Sequence, residues 1–368
     1  MTADLSKTEL SKTELPKTQL SDKNFSGYFF EDFEINDQLI HATPRTITDG
    51  DVALYTALTG SRFVLYCAEP VAMACGFART PIDNFLVFHI AFGKTVPDIS
   101  LNAVANLGYA ECEFLNPCYV GDTLFVSSKV IGLKENSNGK TGIVYVHSTA
   151  LNQDQKPVVS WKRWVMVHKK NHSAPTGIDS IPNLSPTANI NEQHIPAELS
   201  FKSFDTAWSG APYKYDDYVT GEVVLHHDGM TINPSDHSLA TRLYQNNAKV
   251  HFDGYAMRSS RHGEPLVYGG HVMSICRALS HNGLANGLWL AAINGGSHTA
   301  PSFAGDTISC ATQILDKGVF DGRDDIGWIR VETTGFKNCD SDTVKDYYTV
   351  DTDTQPVLKL DYTLLIPR

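Results

Sequence analysis

The chain has 368 residues, 42% of them hydrophobic, which bounds it at one large or two ordinary domains with enough apolar material for a sizeable core. Its net charge of -11 argues against nucleic acid or an anionic membrane as principal partner, and no run is apolar for long enough to span a bilayer. The seven cysteines, at 67, 75, 112, 118, 276, 310 and 339, are odd in number, form no CxxC pair and follow no secretory signal, so reduced thiols of a cytoplasmic protein are expected, mostly in packing roles.

Residues 1–25 hold a short polar repeat (Ser6-Lys7-Thr8-Glu9-Leu10, then Ser11-Lys12-Thr13-Glu14-Leu15) that could bury little, and are read as a disordered tail. From there the chain is written twice. Glu31-Asp32-Phe33 matches Asp216-Asp217-Tyr218, and His41 matches His226, both at an offset of 185. Pro117 to Thr123 matches Pro301 to Thr307 at an offset of 184. Collinear matches of this kind predict two similar domains, 26–170 and 209–368, joined by a linker over the Asn-, Ser-, Pro- and Thr-rich residues 171–208.

Within each half the patterns come in one order. A short strand leads to a capped helix, at Asp49-Gly50-Asp51 in one half and Pro234-Ser235-Asp236 in the other. An apolar helix follows, Phe85 to Phe92 and Tyr268 to Leu279. Alternating strands then dominate, among them Thr123–Val130, Thr141–His147, Gly327–Glu332 and Val357–Leu364. Lys134 to Gly139 separates the first two of these strands as a hairpin loop would.

Three kinds of chemical group gather between Leu243 and His271. Asn246 and Asn247 form an amide pair, His251 lies five residues after Asn246, and Gly269-Gly270 opens the second apolar helix. An imidazole moves protons near neutral pH, an amide orients water by donating and accepting, and a glycine at a helix start can aim a bare N–H at a carbonyl oxygen. Together they suit addition of water across an activated C=C, or its reversal.

This stretch resembles the MaoC-like, R-specific enoyl-CoA hydratases, whose motif reads Y-x-x-x-T-G-D-x-N-P-x-H with H-G at a helix start about eighteen residues on. His251 falls on the motif His, Asn246 on the motif Asp and Gly269 on the oxyanion-donating glycine. The departures are Asn for that Asp, Ala248-Lys249 for Asn-Pro, and Tyr268 for the His of H-G. The block from Leu266 to Val272, with Arg277-Ala278-Leu279-Ser280 and Phe303-Ala304-Gly305-Asp306-Thr307, is similar to the mesaconyl-CoA hydratase branch. The resemblance implies an α+β fold, a double hot-dog in which each repeat wraps an antiparallel sheet around one helix and the two form a pseudo-dimer. It also implies an acyl-CoA substrate, a homo-oligomer, and no metal or redox cofactor, since the thioester itself acidifies the α carbon.

The repeat allows an internal comparison. At an offset of 185 His251 corresponds to Tyr66 and Asn246 to Ser61, while Val267-Tyr268-Gly269 lines up with Val87-Phe88-His89. A tyrosine, with a pKa of about 10, is a poor acid–base group at neutral pH. One active site per chain is therefore expected, in the C-terminal copy. Its expected members are His251 as the proton-transfer group, Asn246 as the water-orienting amide and Gly269 as the oxyanion donor.

Around these lie further candidates. Asp253, two residues past His251, could supply the missing carboxylate or simply cap a turn. A dicarboxylic substrate needs a cation, for which Arg258, Arg261, His262 and His271 are candidates, and Lys249 could meet that carboxylate or the CoA phosphates. The expected activity is a hydro-lyase acting on a short branched dicarboxylic acyl-CoA, by hydration of mesaconyl-CoA or dehydration of methylmalyl-CoA. A general enoyl-CoA hydratase, a hot-dog thioesterase and a non-catalytic acyl-CoA binder are the alternatives.

Overall fold

The computed structural model describes residues 23–188 and 190–368, so the tail expected over residues 1–25 lies almost wholly outside the described residues. Strand β1 (Gln38–Thr46) leads into α1 (Asp49–Thr59), two short helices α2 (Val64–Cys67) and α3 (Glu69–Ala74), and then α4 (Asn84–Thr95). Four long strands follow: β2 (Ala103–Phe114), β3 (Thr123–Glu135), β4 (Thr141–Leu151) and β5 (Pro157–His168). After the two-residue β6 (Asp179–Ser180), β7 (Val223–Thr231), α5 (Pro234–Leu243), α6 (Gly254–Met257), α7 (Gly269–Leu279) and α8 (His281–Leu284) repeat the opening. The chain closes with β8 (Trp289–His298), β9 (Thr307–Val319), β10 (Ile326–Lys337), α9 (Ser341–Thr349) and β11 (Leu358–Pro367).

The strands form one antiparallel sheet in the order β1-β3-β4-β5-β2-β8-β11-β10-β9-β7, with β6 alongside β3. The order within each half is the same, and the halves meet where Tyr109 pairs with Gly296 and Cys112 with Ile293. This is a double hot-dog fold. The duplication extends to buried polar groups: His41 Nε2 meets Ser128 Oγ at 2.7 Å, and His226 Nε2 meets Thr312 Oγ1 at 2.7 Å.

Helix α4 is buried along its whole length, which is why its sequence is apolar on every side rather than along one stripe. Asp83 caps it by accepting the Phe85 N–H at 2.9 Å. A capping box starts α1, with Thr48 Oγ1 accepting from Asp51 N–H at 3.3 Å and Asp51 Oδ2 accepting from Thr48 N–H at 2.8 Å. Helix α7 is buried from Gly270 to Leu279. Both central helices start at matching positions, Asn84 and Gly269, so the counterpart of Gly269 is Asn84 and not His89. His89 instead corresponds to Ser274 and bonds it, Nε2 to Oγ, at 2.9 Å. A five-residue slip arises because the apolar run of α4 extends past Phe88 with no internal punctuation to register it.

Residues 171–208 are not a loose tether. Ile195, Leu199, Phe201 and Phe204 are buried in a core with Phe77, Leu288 and Trp289. The polar composition of the segment conceals these spaced apolar anchors.

Candidate active site

A cavity of about 470 Å³ opens at the junction of the halves. The first half supplies Phe92, Ser100, Tyr109 and Arg163, and the second supplies Asn246, His251, Gly269 and His298. Among the described residues no aspartate or glutamate lines it.

The turn after α5 is held by the other half. Gly93 of α4 lies so close that a Cβ there would sit 1.8 Å from the Tyr244 carbonyl oxygen. Lys94 Nζ donates to Gln245 Oε1, and Arg45 donates to Leu243 O. Gln245 takes a left-handed backbone, φ +52°, which turns the chain out of the helix. Asn246 follows, buried, with its Oδ1 accepting the Ala248 N–H at 3.1 Å. That bond assigns the oxygen and leaves the NH2 group as what the amide offers a ligand.

A short turn over Lys249–His251 then brings the imidazole into the cavity wall. His251 Nδ1 donates to Leu266 O at 3.0 Å. A carbonyl can only accept, so Nδ1 carries the proton and Nε2 is the basic nitrogen. The Leu266 N–H returns a bond to Val250 O at 2.9 Å, which fixes the ring against this strand-like segment. Burial pushes the His251 pKa down to about 4, against an opposing pull from the Leu266 carbonyl. The imidazole is thus neutral at pH 7.

Gly269 is the first residue of α7, so its N–H has no partner four residues back within the helix. A Cβ at this position would lie 2.5 Å from the imidazole of His298. The glycine therefore does two things: it bares the helix end and leaves room for a second histidine. His298, the last residue of β8, lines the cavity with a buried Nε2 that has no hydrogen-bond partner among the described residues. Burial, reinforced by the facing His251, pushes its pKa down to about 4.

His251, Asn246 and Gly269 thus share one cavity wall, with Lys249 at its exposed edge. The remaining candidates do not line the cavity. Asp253 caps α6, accepting the Ala256 N–H at 2.9 Å. Exposed Arg258 lies over the Tyr255 ring at 5.7 Å, Arg261 is exposed, and the exposed His262 packs against Phe303 at 5.4 Å between centroids. His271 is buried inside α7, its pKa pushed down to about 4 mainly by burial. These polar side chains follow the helical and turn geometry of 253–271 away from the site, which spacing along the sequence does not reveal.

Two lining residues escaped the sequence reading, His298 and Arg163. His298 belongs to no motif. Arg163 did leave a signal, as the one charged residue on the inward phase of β5, between Trp161 and Val165. In the first half the equivalent site is closed. Ser61, Tyr66, Cys67 and Asp83 surround a void of about 10 Å³, room for about one water molecule at most.

Two hot-dog halves that share one imidazole-bearing cavity define the MaoC-like class of double hot-dog proteins. The chain belongs to the mesaconyl-CoA hydratase family, whose sequence model matches residues 5–350. It is 51% identical to the beta-methylmalyl-CoA dehydratase of Chloroflexus aurantiacus, over 94% of this chain and 99% of that protein. It is 44% identical to the mesaconyl-CoA hydratase of Cereibacter sphaeroides, over 94% and 100%. The solved structure of a MaoC domain protein from Chloroflexus aurantiacus superposes with a TM-score of 0.90 at 49% identity, covering 95% of this chain and 99% of that one. A Mycobacterium tuberculosis protein with a double hot-dog fold shares the architecture, with a TM-score of 0.74 at 23% identity, over 94% and 100%.

Proposed function

We propose that this chain is a carbon–oxygen hydro-lyase that adds water across the 2,3 double bond of mesaconyl-CoA, or removes it from methylmalyl-CoA, as its relatives' names describe for them. The observation that carries the chemistry is the basic Nε2 of His251 opening on the same cavity as the helix-end N–H of Gly269. In hydration, Nε2 takes a proton from water while the oxygen adds to C3. The C=C electrons move to form the enolate of the thioester, whose oxygen accepts the Gly269 N–H. The proton held on Nε2 is then returned to C2. The Asn246 NH2 donates to the water oxygen and sets its lone pair toward C3. A preorganised oxyanion donor of this kind is worth about 3–4 kcal/mol. The thioester supplies the activation, so these steps call for no metal or redox cofactor, and the exposed Lys249 at the cavity edge supports a contact with the anionic end of CoA.

A thioesterase needs a group that activates water against the thioester carbonyl. Asn246 and Asp253 are the residues that would serve it; Asp253 is engaged in capping α6, and Asn246 lines the cavity together with the His251 and Gly269 pair that favours hydration. The test is a panel assay with mesaconyl-CoA, crotonyl-CoA and a saturated acyl-CoA, following enoyl thioester absorbance and free thiol together. Loss of enoyl absorbance without thiol release is expected. Thiol release from the saturated substrate would replace this reading with a thioesterase.

A further inference from the structure

Arg163 is 1% exposed and lines the cavity, yet it has no carboxylate partner among the described residues. Its guanidinium lies over the Phe92 ring at 4.3 Å. It donates to neutral oxygens: Nη2 to Thr95 Oγ1 at 2.8 Å and Ser100 Oγ at 3.0 Å, and Nη1 to Asn106 Oδ1 at 3.4 Å. Nε is buried without a partner among the described residues. A buried cation is costly unless an anion meets it, and none of these contacts supplies one.

The two halves make the gap specific. Val146 pairs with Arg163 across β4 and β5, and its counterpart Val331 pairs with Tyr362 across β10 and β11. Phe92, in turn, corresponds to Arg277 of α7. Each half therefore buries one arginine in this layer, on the strand in the first half and on the central helix in the second. Arg277 lies over the Phe63 ring at 3.4 Å and donates to Ser280 Oγ at 3.3 Å and to Gly287 O, while burial raises the Asp83 carboxyl to about 6 against the Phe85 N–H and the Arg277 charge. Asp83 is the residue that caps α4, and the matching cap of α7 is Tyr268, a neutral phenol near Arg163. Both guanidiniums thus lack an ion-pair partner among the described residues, but of the two it is Arg163 that lines the cavity.

We propose that Arg163 receives the free carboxylate of the substrate, and that the first half thereby selects dicarboxylic over simple enoyl thioesters. This deepens, and rests on, the acyl-CoA reading above. Tyr268 spans the two ends of the site, with its ring 6.0 Å from Phe92, the ring beneath Arg163, and 5.6 Å from His251. In methylmalyl-CoA the carboxylate is attached to C3, the carbon that gains or loses the hydroxyl, so one short acyl group must meet both cation and base, and Arg163 and His251 line the same cavity. Burial lowers the Arg163 pKa only to about 10, leaving it charged at neutral pH.

The test compares two saturated thioesters, methylsuccinyl-CoA and 2-methylbutyryl-CoA, which differ only by a carboxylate in place of a methyl group. Titration calorimetry measures both against wild type, Arg163→Gln and Arg163→Lys. Wild type is expected to prefer methylsuccinyl-CoA by on the order of 30-fold or more. Arg163→Gln should lose that preference to within about threefold while holding 2-methylbutyryl-CoA as wild type does. Arg163→Lys, with a charge but no planar fork, should keep a reduced preference. An Arg163→Gln protein that melts like wild type and keeps the preference overturns the proposal, as does one that weakens both ligands alike. If Arg163→Gln does not fold, a crystal structure of wild type with methylsuccinyl-CoA decides: a carboxylate hydrogen-bonded to the guanidinium supports it, and one placed elsewhere overturns it. Wild type that binds both thioesters equally overturns this inference alone, whereas wild type that binds neither removes the acyl-CoA reading beneath it.

Discussion

A base that works at neutral pH must hold its lone pair, and His251 is arranged to hold it. Its Nδ1 proton is committed to the Leu266 carbonyl, and burial sets its pKa near 4 rather than near 6.5. The proposed hydration needs the neutral ring, so kcat/KM should stay level from pH 8 to about 5 and fall only below that, with an apparent pKa near 4. Initial rates at short times check this, and a break near 6.5 would mean the ring is solvated in the working enzyme. His251→Ala should cost roughly 10²–10⁴ in kcat. Tyr66→Phe, at the matching position of the closed half, should leave kcat within about twofold, because general acid–base work is not done there. Any larger effect of that variant would give the first half a chemical role.

Elements of one half position the candidate site residues of the other. Helix α4 presses its backbone at Gly93 onto the turn that carries Asn246, and the obstacle is a carbonyl oxygen that cannot rotate aside. Gly93→Ala should therefore move this turn, lowering stability by about 1–3 kcal/mol. It should also cut kcat, although residue 93 does not line the cavity. Denaturant unfolding and steady-state kinetics measure the two effects, and a fall in stability with kcat untouched would separate Asn246 from the reaction. At the start of α7 the obstacle is a side chain, the His298 ring. Gly269→Ala should displace that ring and crowd the helix end, with a loss in kcat on the order of 10².

Several buried histidines across the molecule are held neutral by burial. His226 and His271 are held near 4 and His89 near 3, in each case chiefly by burial. Unfolded, each titrates near 6.5, so between about pH 6.5 and 4 the unfolded chain binds more protons than the folded one. Stability then falls as pH drops through that window, by at most roughly 4 kcal/mol per pH unit for three such groups. Melting temperatures at pH 7.5, 6 and 5 should decline with increasing slope, and a flat series would show that these rings are protonated in the folded state. An open cavity in the second half, against a closed counterpart in the first, also predicts one acyl-CoA bound per chain by calorimetry.

Repetition and spacing were enough to reveal two similar halves, the capped first helices, the hairpin of β3 and β4, and the candidate group of His251, Asn246 and Gly269. Those features are local or recur at a constant offset, so they survive in one dimension. The register of α4 against α7 did not, because an unbroken apolar helix offers nothing to anchor an alignment. Arg163 and His298 reach the site from the first half and from the end of a distant strand. Only sheet pairing and the docking of α4 decide that they meet, and only the folded chain shows that Asp253 turns to cap a helix while the buried guanidinium is left facing the cavity. Local chemistry is written residue by residue, whereas the sign of the charge that a cavity presents is set by whichever distant side chains the packing brings to its wall.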